Sequence, residues 1–172
     1  YMSFVDELLK KAKTRGKTIV LCEGEDNRVV EAASRIVKEG IANIILIGNE
    51  EEAKKVAPNA DLSKVKLVDP TTSPDTDKYA QILFDARQGK INKKTGEPEY
   101  PTIEDAKNYI LKDRTMFGAL ILKAGDADGF VSGACHSTAN TLRPGLQVIK
   151  TAPGIKTVSS SSVGFMYKEF TI

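Results

Sequence analysis

Short apolar runs alternate with longer amphipathic segments along most of this chain. The apolar runs are rich in β-branched residues and end near glycine or proline, which is typical of buried strands. Strands are predicted at 18–24, 43–49, 65–70 and 127–133. Between them, apolar side chains recur at helical spacing, and helices are predicted at 3–17, 25–40, 50–57, 76–90, 103–113 and 115–125. This alternation predicts an α/β fold in which helices flank a parallel sheet.

Composition narrows the class of protein. The chain has 172 residues, 41% of them hydrophobic and 28% charged, which suits one globular domain or one domain and part of another. Lys and Arg total 25 against 23 Asp and Glu, and the resulting net charge of +2 argues against a dedicated nucleic-acid-binding protein. The sequence shows neither a signal-peptide core nor an apolar run long enough to cross a membrane, so we expect a cytoplasmic protein with reduced cysteines.

Two strand or helix ends carry polar residues with simple structural explanations. Residues 24–28, GEDNR, follow the first predicted strand, and Asp26 or Asn27 is suited to cap the next helix. Their spacing matches neither of the glycine-rich nucleotide-binding motifs. Arg87 lies in the last turn of a predicted helix, where a cation interacts favourably with the negative helix end. Capping and helix-end charge therefore explain these residues better than ligand binding does.

The segment after the fourth predicted strand collects groups that bind anions. Ser132 and Gly133 end the strand, Ser137 and Thr138 precede a further helix, and Arg143 follows. A helix start offers free N–H groups, glycine permits close approach of the backbone, and a guanidinium matches phosphate oxygens. The alternative is a glycine turn followed by ordinary capping hydroxyls. Residue types alone favour the two interpretations equally.

His136 is the only histidine of the chain and lies inside this segment. It is a candidate general base, but a structural role, in which it orients the loop by a hydrogen bond, is the better explanation. The adjacent Cys135 is either a reactive thiol or a small apolar filling group. One histidine and two distant cysteines do not have the spacing of a zinc site, so no metal is predicted.

The run ADGFVSGACHSTANTLRPGLQVIKTAPG, residues 127–154, resembles the phosphate acetyl/butyryl transferase family. Residues 23–49 look like the N-terminal βαβ unit of that family. They include GEDNRVVEAASRIVKEG and the predicted strand that follows it. The resemblance implies a two-domain, isocitrate-dehydrogenase-like architecture of which this chain covers mainly the first domain. On this basis 3–150 form an N-terminal α/β domain, and 151–172 are the start of a second domain or a divergent or truncated tail.

The family resemblance also implies an activity. Members transfer an acetyl group between coenzyme A and phosphate without a cofactor or metal. They are typically homodimers or larger homo-oligomers, with the active site between two domains. A base removes the proton of the coenzyme A thiol, the thiolate attacks the acyl phosphate, and phosphate leaves. By resemblance Ser132, Ser137 and Thr138 would hold the acyl phosphate, and Arg143 would bind its phosphate.

The resemblance assigns lesser roles to three further residues and leaves others without a counterpart. Arg87 would help to bind coenzyme A or phosphate, while Gly133 and His136 would position the loop. The catalytic base and the serine–arginine pair of the family lie in its later half and have no match in this chain, so we expect little acetyl transfer by the chain alone. Two alternatives are a phosphate butyryltransferase and a non-catalytic binding or regulatory module of the same fold.

Overall fold

A computed structural model describes residues 4–159 of the chain. Four parallel strands form one sheet in the order β3-β2-β1-β4. The strands are β1 (Thr18–Leu21), β2 (Asn43–Ile47), β3 (Lys66–Val68) and β4 (Gly129–Val131). Each lies within a predicted apolar run but ends earlier than the run does, because the terminal Gly and polar residues enter turns. The α/β prediction is thus confirmed.

Helices cover both faces of this sheet. The helices are α1 (Phe4–Arg15), α2 (Asn27–Lys38), α3 (Glu50–Val56), α4 (Thr76–Arg87), α5 (Ile103–Ile110), α6 (Arg114–Lys123) and α7 (Thr138–Pro144). One apolar core joins the sheet to α2 and α3, and the other joins it to α4, α5 and α6. The first helix has no buried residue, although its sequence is amphipathic.

The sixth helix is the most buried, as its apolar sequence predicts. Phe117 is fully buried and its ring meets that of Tyr79 edge-on, with ring centroids 5.1 Å apart. Gly118 faces the sheet so closely that a Cβ there would lie 2.5 Å from Cys22 Sγ. The absent side chain therefore sets how near α6 approaches β1, and with it the position of the α6 N-terminus.

A π-helix follows α7 directly. Pro144 is the last residue of α7, and the five-residue π-helix, Gly145–Ile149, continues from it. Val148 of this π-helix is buried in the core beside α4 and α6. The segment between α4 and α5 contains one antiparallel bridge, between Ile91 and Pro98.

Residues 151–159, the described part of the predicted tail, form only turns and bends and are exposed. The remainder of that tail, 160–172, lies outside the described residues. Within 4–159, no helix has both the length and the apolar character needed to cross a membrane.

Candidate functional site

The loops that follow β1 and β4 meet at one edge of the sheet. The chain order reverses between these two neighbouring strands, because β2 and β3 lie on the other side of β1. In open parallel sheets, ligands bind beyond the carboxyl ends of strands at such a reversal. A cleft of about 590 Å³ lies beside the two loops; we call it the switch-point cleft. It is lined by Glu25, Glu52, Tyr109, Lys112, Asp113, Arg114, Thr115, His136, Asn140 and Arg143.

The loop after β4 is built around a buried carboxylate from the end of β1. Glu23 is only 1% exposed. It accepts hydrogen bonds from the backbone N–H groups of Gly133, Ala134 and Cys135, at 3.0, 2.8 and 3.0 Å, and its Oε1 lies 2.8 Å from Nδ1 of His136. Burial raises the pKa of Glu23, but these hydrogen bonds outweigh it and lower the pKa to about 2. The carboxylate is therefore ionised at neutral pH.

This arrangement changes what the glycine-rich loop offers to a ligand. The sequence indicated free N–H groups at the start of the next helix and close approach of the glycine backbone to a ligand. The three consecutive amides of 133–135, which precede that helix, bind the carboxylate of Glu23. Gly133 has φ +108°, a conformation that favours glycine, and it turns the loop toward Glu23. The loop is thereby given a fixed shape, and its side chains rather than its amides are available to a ligand.

The three hydroxyl residues of the segment are placed separately. Ser132 Oγ lies 3.2 Å from Thr115 Oγ1 at the start of α6. Ser137 is the N-cap of α7, and its Oγ accepts the Asn140 N–H at 3.3 Å. Thr138 is the first residue of α7 and is exposed. None of these three is among the residues that line the switch-point cleft, so phosphate binding by them stays a prediction.

Arg143 does line the cleft. Its Nη2 lies 3.4 Å from Asp113 Oδ2, and its side chain is 47% exposed. This long, solvated ion pair leaves most of the guanidinium donors facing solvent, which suits a ligand-binding cation better than a structural one.

Arg87 is held on a different partner. Its Nε donates to Glu99 at 2.6 Å, in a pair that is mostly buried. Burial raises the pKa of the Tyr100 hydroxyl to about 12, while the charges of Arg87 and Arg143 both oppose that rise. Of these two arginines, Arg143 lines the cleft and Arg87 does not.

One arginine at the cleft was missed in the sequence. Arg114 begins α6 and donates to Glu25 at 2.6 Å and to Glu52 at 2.7 Å. It thus joins the loop after β1 to α3. Its partners lie 89 and 62 residues away in the chain, so no local spacing marked it.

The polar residues after β1 have the structural roles expected of them. Asp26 is the N-cap of α2, and its carboxylate accepts the Arg28 N–H at 2.9 Å, as the capping interpretation predicted. Arg28 is not simply solvated, because it also donates to the Ala134 carbonyl at 2.7 Å. A second contact thus ties the loop after β1 to the loop after β4.

The two cysteines differ in environment. Cys22 is fully buried in the core, and burial raises the pKa of its thiol. Cys135 is exposed, so it is not the apolar filling group considered above. Partial burial and the nearby charge of Glu23 raise its thiol pKa to about 11, which disfavours the reactive thiolate.

Glu23, Cys135 and His136 bring three potential metal ligands within 4.8 Å of one another. The fold creates this cluster from residues that the sequence keeps apart, so ligand spacing did not reveal it. The oxygens of Glu23 already accept N–H groups from the loop, however. Hydrogen bonding explains the cluster without a metal.

Comparison with known proteins identifies the family of the chain. A protein-family profile described as "Phosphate acetyl/butaryl transferase" matches residues 3–171. The chain belongs to this family. The match includes most of 151–172, the segment whose assignment to a second domain or a divergent tail stays open.

Relatives of this chain are named phosphate acetyltransferase. The protein of Acetivibrio thermocellus is 47% identical over 159 residues, and that of Thermoanaerobacterium thermosaccharolyticum is 44% identical over 159 residues. Each match covers 92% of this chain and 45% of the relative. The chain thus spans about half the length of these relatives.

Solved structures give the same result for the fold of this family member. A phosphotransacetylase from Streptococcus pyogenes superposes with a TM-score of 0.77 at 37% identity, covering 91% of this chain and 46% of that one. The EutD phosphotransacetylase from Staphylococcus aureus gives 0.74 at 37% identity, covering 87% and 43%.

Proposed function

We propose that this chain takes part in acyl transfer between coenzyme A and phosphate, interconverting acetyl-CoA and acetyl phosphate. The observation that carries the proposal is the match, at 37–47% identity over nearly the whole chain, to proteins named phosphate acetyltransferase. The switch-point cleft supports it, because an exposed guanidinium and a histidine line a cavity at the edge of the sheet where ligands of such folds bind.

The cleft suits the electrostatic part of this reaction. When the coenzyme A thiolate attacks the acetyl carbonyl, a C–S bond forms, the C–O bond to phosphate breaks, and negative charge moves onto phosphate. Fixed cationic donors that face this charge stabilise the transition state. Arg143 offers such a donor, and Ser132, Ser137 and Thr138 would contact the acyl phosphate from the neighbouring loop. Arg87 would act on coenzyme A or phosphate.

The chain supplies one wall of the active site in this proposal. The family's catalytic base and serine–arginine pair lie in a half that this chain does not match. The complete protein would be a cytoplasmic homodimer that uses coenzyme A as a substrate and needs no cofactor. Gly133 and His136 would hold the loop after β4 in place.

Binding and turnover measured together test the proposal. Calorimetric titration with coenzyme A and with inorganic phosphate measures binding to the 172-residue chain, and thioester absorbance follows acetyl-CoA formation from acetyl phosphate. Arg143→Ala is expected to weaken phosphate binding. Arg35→Ala is the matched control, because Arg35 is exposed and pairs only along α2, with Glu39.

The outcomes separate the candidate functions. Binding of both ligands with turnover supports an acetyltransferase, and a preference for butyryl phosphate in the same assay identifies the butyryl sibling. Binding without turnover is expected both of an acetyltransferase portion and of a non-catalytic module, and turnover by the complete protein then distinguishes them. If neither coenzyme A nor phosphate binds, the proposed function is wrong.

A further inference from the structure

The most unusual group near the switch-point cleft is the buried Glu23. The four nitrogen atoms that it contacts belong to residues 110 to 113 positions away in the chain. One of them is in the imidazole of His136, which lines the cleft. The contact between Glu23 and His136 affects the protonation of the imidazole ring.

Glu23 determines which ring nitrogen of His136 carries the hydrogen. Because its carboxylate is ionised, it can only accept hydrogen bonds. Nδ1 of His136 lies 2.8 Å from Oε1, so this nitrogen must be the N–H donor. In the neutral imidazole the other nitrogen, Nε2, then has a free lone pair.

Nε2 has no close protein partner on the side of Glu25, another residue that lines the cleft. It is 4.0 Å from Oε1 of Glu25, which is too long for a hydrogen bond. The other oxygen of Glu25 is occupied by Arg114, at 2.6 Å. The imidazole is also 34% exposed, so a ligand in the cleft can reach it.

We propose that Glu23 is a positioning residue that fixes the Nδ1–H tautomer of His136, so that Nε2 accepts a hydrogen bond from the thiol of coenzyme A. This inference rests on the proposed function, since it names a contact within the same site. His136 would contact the substrate directly, whereas Glu23 acts only through His136 and the loop. A hydrogen bond from the thiol to Nε2 would hold the sulfur in one position for attack.

The tautomer is tested directly by nuclear magnetic resonance. Because the chain has a single histidine, ¹⁵N labelling of histidine gives one imidazole spin system. Two-bond ¹H–¹⁵N correlations at alkaline pH are expected to show a protonated Nδ1 and an unprotonated Nε2. In Glu23→Gln, whose amide can donate as well as accept, the Nε2–H form should gain population. Glu39→Gln makes the same charge change at an exposed site and should leave the spectrum unchanged.

The thiol contact is tested by comparing coenzyme A with desulfo-coenzyme A, which lacks the thiol. We expect the unmodified chain to bind coenzyme A about fivefold more tightly than the desulfo analogue, as one hydrogen bond would give. His136→Asn keeps a donor near the Nδ1 position but has no group at Nε2, so this ratio should fall to about one. Only coenzyme A, and not the analogue or inorganic phosphate, should shift the Nε2 resonance.

Each outcome has a definite meaning. A protonated Nε2 in the unmodified neutral chain overturns the role of Glu23, and this measurement needs no variant to fold. Equal affinity for the two coenzymes overturns the thiol contact, while a shift of the Nε2 resonance by phosphate alone assigns His136 to the phosphate instead. If neither coenzyme binds while the Nδ1–H tautomer is observed, the proposed function fails and the thiol contact with it, but the positioning role of Glu23 stands.

Discussion

Replacing Glu23 by Gln should destabilise the protein in a way that depends on pH. The pKa of Glu23 falls from its ordinary value of 4.5 to about 2 in the folded protein. Since one pKa unit is about 1.4 kcal/mol, this shift corresponds to about 3 kcal/mol of stability at neutral pH. Glutamine cannot supply this stability. It is uncharged, and its NH2 group cannot accept a hydrogen bond from the N–H donors of the loop.

The sign of the pH dependence follows from the lowered pKa. The contribution of Glu23 is complete above its ordinary pKa and is lost as pH falls toward the folded-state value. About 2 kcal/mol of it should be lost by pH 3. The difference in unfolding free energy between the native chain and Glu23→Gln should therefore be largest near pH 7 and narrow on acidification.

Urea unfolding at several pH values measures this difference. Glu39→Gln is the matched control, because Glu39 is on the surface and pairs with Arg35 one helical turn away, so its replacement should have little effect. If Glu23→Gln costs the same free energy at pH 7 and pH 3, the ionised carboxylate does not stabilise the loop. The reasoning from hydrogen bonds to pKa is then refuted.

Three further predictions concern other parts of the molecule. Arg143→Ala should weaken phosphate binding about five- to tenfold in calorimetry, since a half-exposed guanidinium contributes less than a buried one; unchanged affinity would remove it from the site. Gly24→Ala should cost about 2 kcal/mol in urea unfolding, because its Cβ would collide with a β2 carbonyl, whereas Gly145→Ala, with open space around it, should be nearly neutral. A thiol reagent should label Cys135 in the native protein, and faster as pH rises toward 11, whereas it should label Cys22 only after unfolding. Rapid labelling of both thiols in the native protein would contradict the burial of Cys22.

The candidate site was only partly predictable. The segment 132–143 was singled out from its glycine, hydroxyl and arginine residues, and the structure places His136 and Arg143 from it at the cleft. The sequence did not show that Glu23 binds the amides of 133–135, and Arg114 had no local signal. Both residues act on partners more than 60 residues away, which spacing in the sequence does not reveal.

The sequence by itself determined the order and type of the helices and strands. Periodicity and capping are properties of neighbouring residues, so Asp26 could be recognised as a candidate cap and 18–24 as a strand before any tertiary contact was known. Only the tertiary structure decided that β4 lies beside β1 and that Glu23 closes the loop after β4. Strand order and long-range hydrogen bonds depend on how both faces of the sheet are covered, and that packing involves the whole chain at once.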